Sequence, residues 1–113
     1  MSNLMTLPDG KLAEIGRIAT PVHAGVDVEA TSTAVLPADA GRAYALFIND
    51  SDTTLYLSLD GEAAAAQAGI RLNAGGGFYE MSAGCGNLSH AAVRAIHAGS
   101  GAKRLLVTTG KGV

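Results

Sequence analysis

The sequence predicts an all-β domain, an antiparallel β-sandwich or jelly roll of about eight strands with one short helical turn and an N-terminal arm. Three observations carry this. Short apolar runs alternate with a period of two, the signature of extended chain with distinct faces. Clusters of Gly, Pro, Asn and Asp interrupt those runs at short intervals. The interior must be built from short aliphatic side chains, because 48% of the chain is hydrophobic while it holds only three Tyr, two Phe and no Trp.

The stretch 42–79, RAYALFINDSDTTLYLSLDGEAAAAQAGIRLNAGGGFY, organises the rest. Tyr44, Leu46 and Ile48 alternate with Ala43, Ala45 and Phe47, so the first strand is apolar on both faces and is expected to be covered on both. Asn49-Asp50-Ser51-Asp52 then turns the chain, since these side chains bond their own backbone. Thr54–Leu59 alternates cleanly, with Leu55, Leu57 and Leu59 on one face, and reads as the second arm of a hairpin. Glu62–Ala68 is alanine-rich. With Asp60 as cap and Gly69 after the end, it is expected to form one or two helical turns. Ile70–Asn73 and Phe78–Met81 read as strands around the flexible turn Gly75-Gly76-Gly77.

Before that stretch, Val22–Glu29 alternates apolar residues with His23, Gly25, Asp27 and Glu29, a half-buried strand with an acidic outer face. Thr31–Leu36 is another β-type run, ended by Pro37. After Met81 come a loop of small residues, a strand over Val93–His97, the turn Gly99-Ser100-Gly101 and a last strand over Lys103–Thr109. Residues 22–113 therefore read as a single sandwich domain, and residues 1–21 as an arm or extra strand. Leu12, Ile15 and Ile18 recur every third residue, as in a helical turn, whereas Ile15, Arg17 and Ala19 also permit a strand. The segment is either a partly ordered terminus or an arm that docks on a neighbour through Leu12, Ile15, Ile18 and Val22.

The formal net charge is −2, with no run of Lys or Arg, which argues against nucleic acid as a partner. No apolar run is long enough to span a bilayer and no signal-peptide pattern opens the chain, so synthesis in a cytoplasm is expected. Asn49-Asp50-Ser51 and Asn87-Leu88-Ser89 match the glycosylation pattern, but in that setting they read as turns.

Candidate chemistry is sparse. Cys85 is the only cysteine, which rules out an intrachain disulfide, and nothing near it in sequence activates a thiol. His23, His90 and His97 lack a metal-ligand spacing. Gly75-Gly76-Gly77 lacks the Lys-Ser/Thr ending of a phosphate loop. Asp39, Asp50, Asp52 and Asp60 match no calcium loop and read as a solvated rim. No G-x-S-x-G elbow supports a Ser-His-Asp set. The expectation is a protein without catalytic residues, metal or cofactor.

The layout from Thr31 onward resembles small β-sandwich proteins of tailed bacteriophage virions. The residues that carry the likeness are TSTAVLPADAGRAYALFINDSDTTLYLSLDGEAAAAQAGIRLNAGGGFYEMSAG and VRAIHAGSGAKRLLVTT. Arg42 stands before a strand ending in Ile48-Asn49, and a short strand holds Leu55-Tyr56-Leu57. An Ala-rich turn, Gly69 to Leu72, and a Gly-rich turn follow; a short strand, Gly-Ser-Gly and an apolar strand close the pattern. The resemblance implies a virion structural protein: a capsid decoration (cement) protein, or a fibre-base or minor tail component. It transfers no catalytic residues. Such a subunit would bind major capsid or tail subunits and bury its sheet edges by closed symmetry, a homotrimer being the expected form. A carbohydrate-binding sandwich is the competing class, disfavoured by the absent Trp and the scattered Tyr44, Tyr56 and Tyr79. A cupin-like enzyme would need a His/Glu metal cluster inside the barrel.

Overall fold

The computed structural model describes residues 18–112 and, ahead of them, the strands β1 (Asn3–Thr6) and β2 (Leu12–Ile15). The eight strands that follow are β3 (Val22–Val28), β4 (Thr33–Leu36), β5 (Arg42–Asn49), β6 (Leu55–Ser58), β7 (Ile70–Leu72), β8 (Phe78–Ser82), β9 (Val93–His97) and β10 (Lys103–Lys111). They form two four-stranded sheets with the orders β3-β10-β5-β8 and β4-β9-β6-β7, and all pairings are antiparallel.

The pairing is nested. Within the eight strands, the first pairs with the last, the second with the last but one, the third with the sixth and the fourth with the fifth. A long hairpin rolled up so that its two halves close on each other gives this order, which is the strand order of a jelly roll.

The alternation is spent on the space between the sheets. Val28, Ala45, Phe47, Met81, Leu105 and Val107 from one sheet meet Leu55, Leu57, Leu72, Val93 and Ala95 from the other, all buried. Each Val, Leu, Phe or Met among them contributes about 1.5–3 kcal/mol by leaving water. The expected period-two faces of Thr54–Leu59 hold: Leu55 and Leu57 are inside and Leu59 packs at the margin.

Two expectations about the connections fail. The 42–59 stretch is not a hairpin, because β5 and β6 lie in different sheets. The turn after Asn49 carries the chain across the interior, drawn in by the buried Asn49 side chain, which donates to Thr53 O at 2.8 Å and Leu72 O at 3.0 Å. Glu62–Ala68 forms no helix. Its polar backbone groups are held by side chains instead: Glu62 N–H by Asp60 Oδ1 (3.0 Å), Glu62 O by Ser58 Oγ (2.9 Å), and Ala64 N–H by Ser32 Oγ (2.9 Å). Gln67 adopts a left-handed φ of 60°. Seven residues are too few for alanine propensity to outweigh such bonds. The short helical turn lies at Ala83–Cys85 as one 3-10 turn, capped by Ser82 Oγ accepting from Cys85 N–H at 3.1 Å.

At the N-terminus, β1 and β2 pair only with each other, from Asn3 with Ile15 to Thr6 with Leu12. Of the choice left open for 11–19, the described residues are extended chain. Leu12 to Ile15 is strand, and Ile18 bridges Gly112 while Ala19 N–H donates to Lys111 O at 3.0 Å.

Candidate functional site

The buried polar groups come first, because they are where chemistry could hide. Arg42 is 4% exposed and its guanidinium donates to three loop carbonyls: Ser89 O (2.8 Å), Ala91 O (3.1 Å) and Pro37 O (2.5 Å). Burial pulls its pKa below the ordinary arginine value, and the charge of Asp39 opposes that. His90 Nε2 bonds the Arg42 carbonyl at 3.0 Å. At the other end of β5, Asn49 is fully buried, and its Oδ1 accepts from Ser51 Oγ at 2.6 Å.

His97 is the third such group. Its Nδ1 accepts from Gly99 N–H at 3.0 Å and its Nε2 faces Gly101 O at 2.6 Å. A backbone N–H can only donate, so Nδ1 is the unprotonated nitrogen and Nε2–H donates to the carbonyl. Both nitrogens are occupied by the 99–101 turn, which leaves neither for a metal. His23 lies on the outside, bonded to Thr108 Oγ1 at 2.8 Å. The three histidines therefore stand in three separate places, and among the described residues no three His, Cys, Asp or Glu side chains converge.

The aspartates split likewise. Asp52 meets Lys103 Nζ at 2.9 Å, and Asp39 stands 3.8 Å from Lys111 Nζ. Lys103, with Thr53 after it, holds the Asp52 carboxyl below the usual range; Ser58, then the Glu62 backbone, does the same for Asp60. Cys85 is exposed in the 3-10 turn.

What remains are surfaces. A cleft of about 440 Å³ opens between the two sheets, lined by Val22, Leu36, Pro37, Arg42 and the end of β10. Val22, 58% exposed, forms part of its wall, and Ile18 sits nearby with its Cβ 2.7 Å from where a side chain on Gly110 would begin. Of the interface residues expected from the sequence, Ile18 and Val22 thus lie at one end of the sandwich. Leu12 and Ile15 are in β2, and their side chains lie outside the described residues.

The second surface is the outer face of the β3-β10-β5-β8 sheet. Cross-strand register sets Gly25, Leu106, Ile48 and Phe78 in one row, and His23, Thr108, Leu46 and Glu80 in the next. Phe78 is 67% exposed and Leu106 38%. Tyr44 Oη donates to Glu80 Oε2 across this face at 2.5 Å, and that bond, then burial, pushes the phenol up to about 12. Beyond the row, the free edge of β8 is plugged. Asn87 Oδ1 accepts from Ser82 N–H at 2.9 Å and its Nδ2 donates to Glu80 O at 2.9 Å, filling positions that a further strand would take.

No protein-family model, curated protein or solved structure matches this chain.

The row on the outer face was not foreseen. The signal was present: β5 is apolar on both faces, which reads as a strand covered twice. In the structure one face is core and the other, with Leu46 and Ile48 half-buried by their neighbours, is open among the described residues.

Proposed function

We propose that this chain is a structural protein of a tailed-phage particle, a capsid decoration protein that binds neighbouring virion subunits, with a fibre-base or minor tail position as the near alternative. The observation that carries this reading is the nested strand order, since the eight-stranded jelly roll is a recurrent architecture of viral capsid proteins. The same architecture serves lectins and cupins, so the site must speak as well as the fold. Here the buried Arg42, Asn49 and His97 all turn to backbone carbonyls and amides. Their polar capacity goes into holding the fold together, which favours a building block over a catalyst.

The N-terminal hairpin supports the docking-arm part of the reading. A two-stranded hairpin is marginal by itself in water, and β1–β2 pairs with neither four-stranded sheet. A neighbouring subunit supplies the surface that such an element lacks. Bound to particles, the chain is proposed to form a homotrimer, closed so that sheet edges are buried.

The experiment is a binding assay on particles stripped of this protein, with the full chain and with a variant lacking Met1–Thr20. The full chain is expected to bind, and the shortened one to unfold cooperatively yet stay in the supernatant. Failure of the full chain to bind overturns the virion reading. Full occupancy by the shortened chain overturns the arm.

A further inference from the structure

We propose that the outer face of the β3-β10-β5-β8 sheet is a self-docking surface, on which a second copy of this chain packs face to face about a twofold axis running along the strands between β10 and β5. The inference rests on the complementarity of that face with itself and is independent of the virion reading.

A rotation about this axis exchanges β3 with β8 and β10 with β5. Within the row Gly25, Leu106, Ile48, Phe78, it sets Phe78 of one copy opposite Gly25 of the other, and Ile48 opposite Leu106. The bulkiest and most exposed side chain of the row meets a position that another side chain covers. The Arg104 guanidinium lies flat across Gly25, where any Cβ would overlap it, and is tethered by Asp27 Oδ1 at 3.2 Å. The Phe78 ring therefore lands on a guanidinium plane, a cation–π contact.

The neighbouring row adds a polar match, a carboxylate facing an imidazole. The same rotation brings Glu80 of one copy against His23 of the other, and Leu46 against Thr108. The alternative axis, perpendicular to the strands, would set Phe78 on Phe78 and the Arg104 guanidinium over Gly25 on its own counterpart, parting the ring from the cation. The ring–guanidinium contact selects the first axis.

Four strands about 4.8 Å apart and about seven residues long give a face of roughly 19 by 23 Å. That is less than the roughly 800 Å² per partner of a standard stable interface, so the dimer is a weak, reversible one.

The test is sedimentation velocity of the full chain from low micromolar to several hundred micromolar. The expected result is a monomer–dimer equilibrium that Phe78→Ala weakens at least about tenfold, since the contact is made twice. His23→Glu and Glu80→Lys should each weaken it, and the two combined should restore it, which a general loss of stability would not do. A monomer at every concentration, association unchanged by Phe78→Ala, or a combined variant as weak as the single ones overturns the proposal.

Discussion

Arg42 and Asn49 stand at the two ends of one strand, and each donates its side-chain N–H groups to backbone carbonyls gathered from across the sandwich. Arg42 ties the Pro37, Ser89 and Ala91 carbonyls at one end, and Asn49 ties those of Thr53 and Leu72 at the other. Between them β5 runs through its sheet with Ala43, Ala45 and Phe47 in the core. The strand is thus pinned twice by buried polar groups that are satisfied only when the loops are in place, which makes loop closure and sheet packing one event.

Removing either pin should be costly, because buried acceptors are left without donors. Asn49→Ala and Arg42→Ala are each expected to lower the unfolding free energy by about 2–4 kcal/mol, read from urea midpoints. The two sites lie about 23 Å apart along the strand, beyond the range of direct coupling. The double variant should therefore equal the sum of the singles within about 0.5 kcal/mol.

Tyr44 gives a pH signature. Its hydrogen bond to Glu80 favours the neutral phenol, so the folded pKa of about 12 lies above the ordinary value of 10.0. Between those values the unfolded chain has released a proton that the folded one keeps, so stability is complete below pH 10 and falls as the pH climbs to 12. Tyr44→Phe should remove that part of the alkaline decline. Spectroscopic titration of the folded protein should show one phenolate step fewer near the upper end.

Gly110 permits Ile18 to lie on the outer face. Its absent Cβ would fall 2.7 Å from Ile18 Cβ and Cγ2, closer than real side chains approach. Gly110→Ala should lift the 18–19 segment from β10, seen as faster amide exchange of Ala19, which donates to Lys111 O. The sandwich core should keep its protection.

Gln67 sits at φ 60°, where a non-glycine residue is strained by about 1 kcal/mol. Gln67→Gly is therefore expected to be neutral or to stabilise by up to about 1 kcal/mol in thermal unfolding. Were 62–68 a helix, the same change would destabilise by a similar amount.

That segment shows where reading the chain alone stops. The strands were legible because alternation and turn residues are local: Leu55 and Leu57, or Leu105 and Val107, reveal their faces without knowing their partners. The partners are not local. Nothing in Asn49-Asp50-Ser51-Asp52 by itself says whether the turn makes a hairpin or a crossing. The crossing is decided by Leu72, 23 residues away, offering a carbonyl to Asn49. Ser32 decides 62–68 in the same way, by holding Ala64 N–H from 32 residues away. The surface row was invisible for a related reason. Gly25, Leu106, Ile48 and Phe78 come from four strands and become neighbours only through register.

The measurement that tests the proposed role most directly is the copy number of this protein in purified phage particles from its source, counted by quantitative mass spectrometry against the major capsid subunit. The account predicts a fixed ratio set by particle symmetry, lost when the protein is stripped and regained when it is added back. Particles devoid of the protein, with the chain instead purifying as a monomer that carries a stoichiometric ion or small molecule, would contradict it.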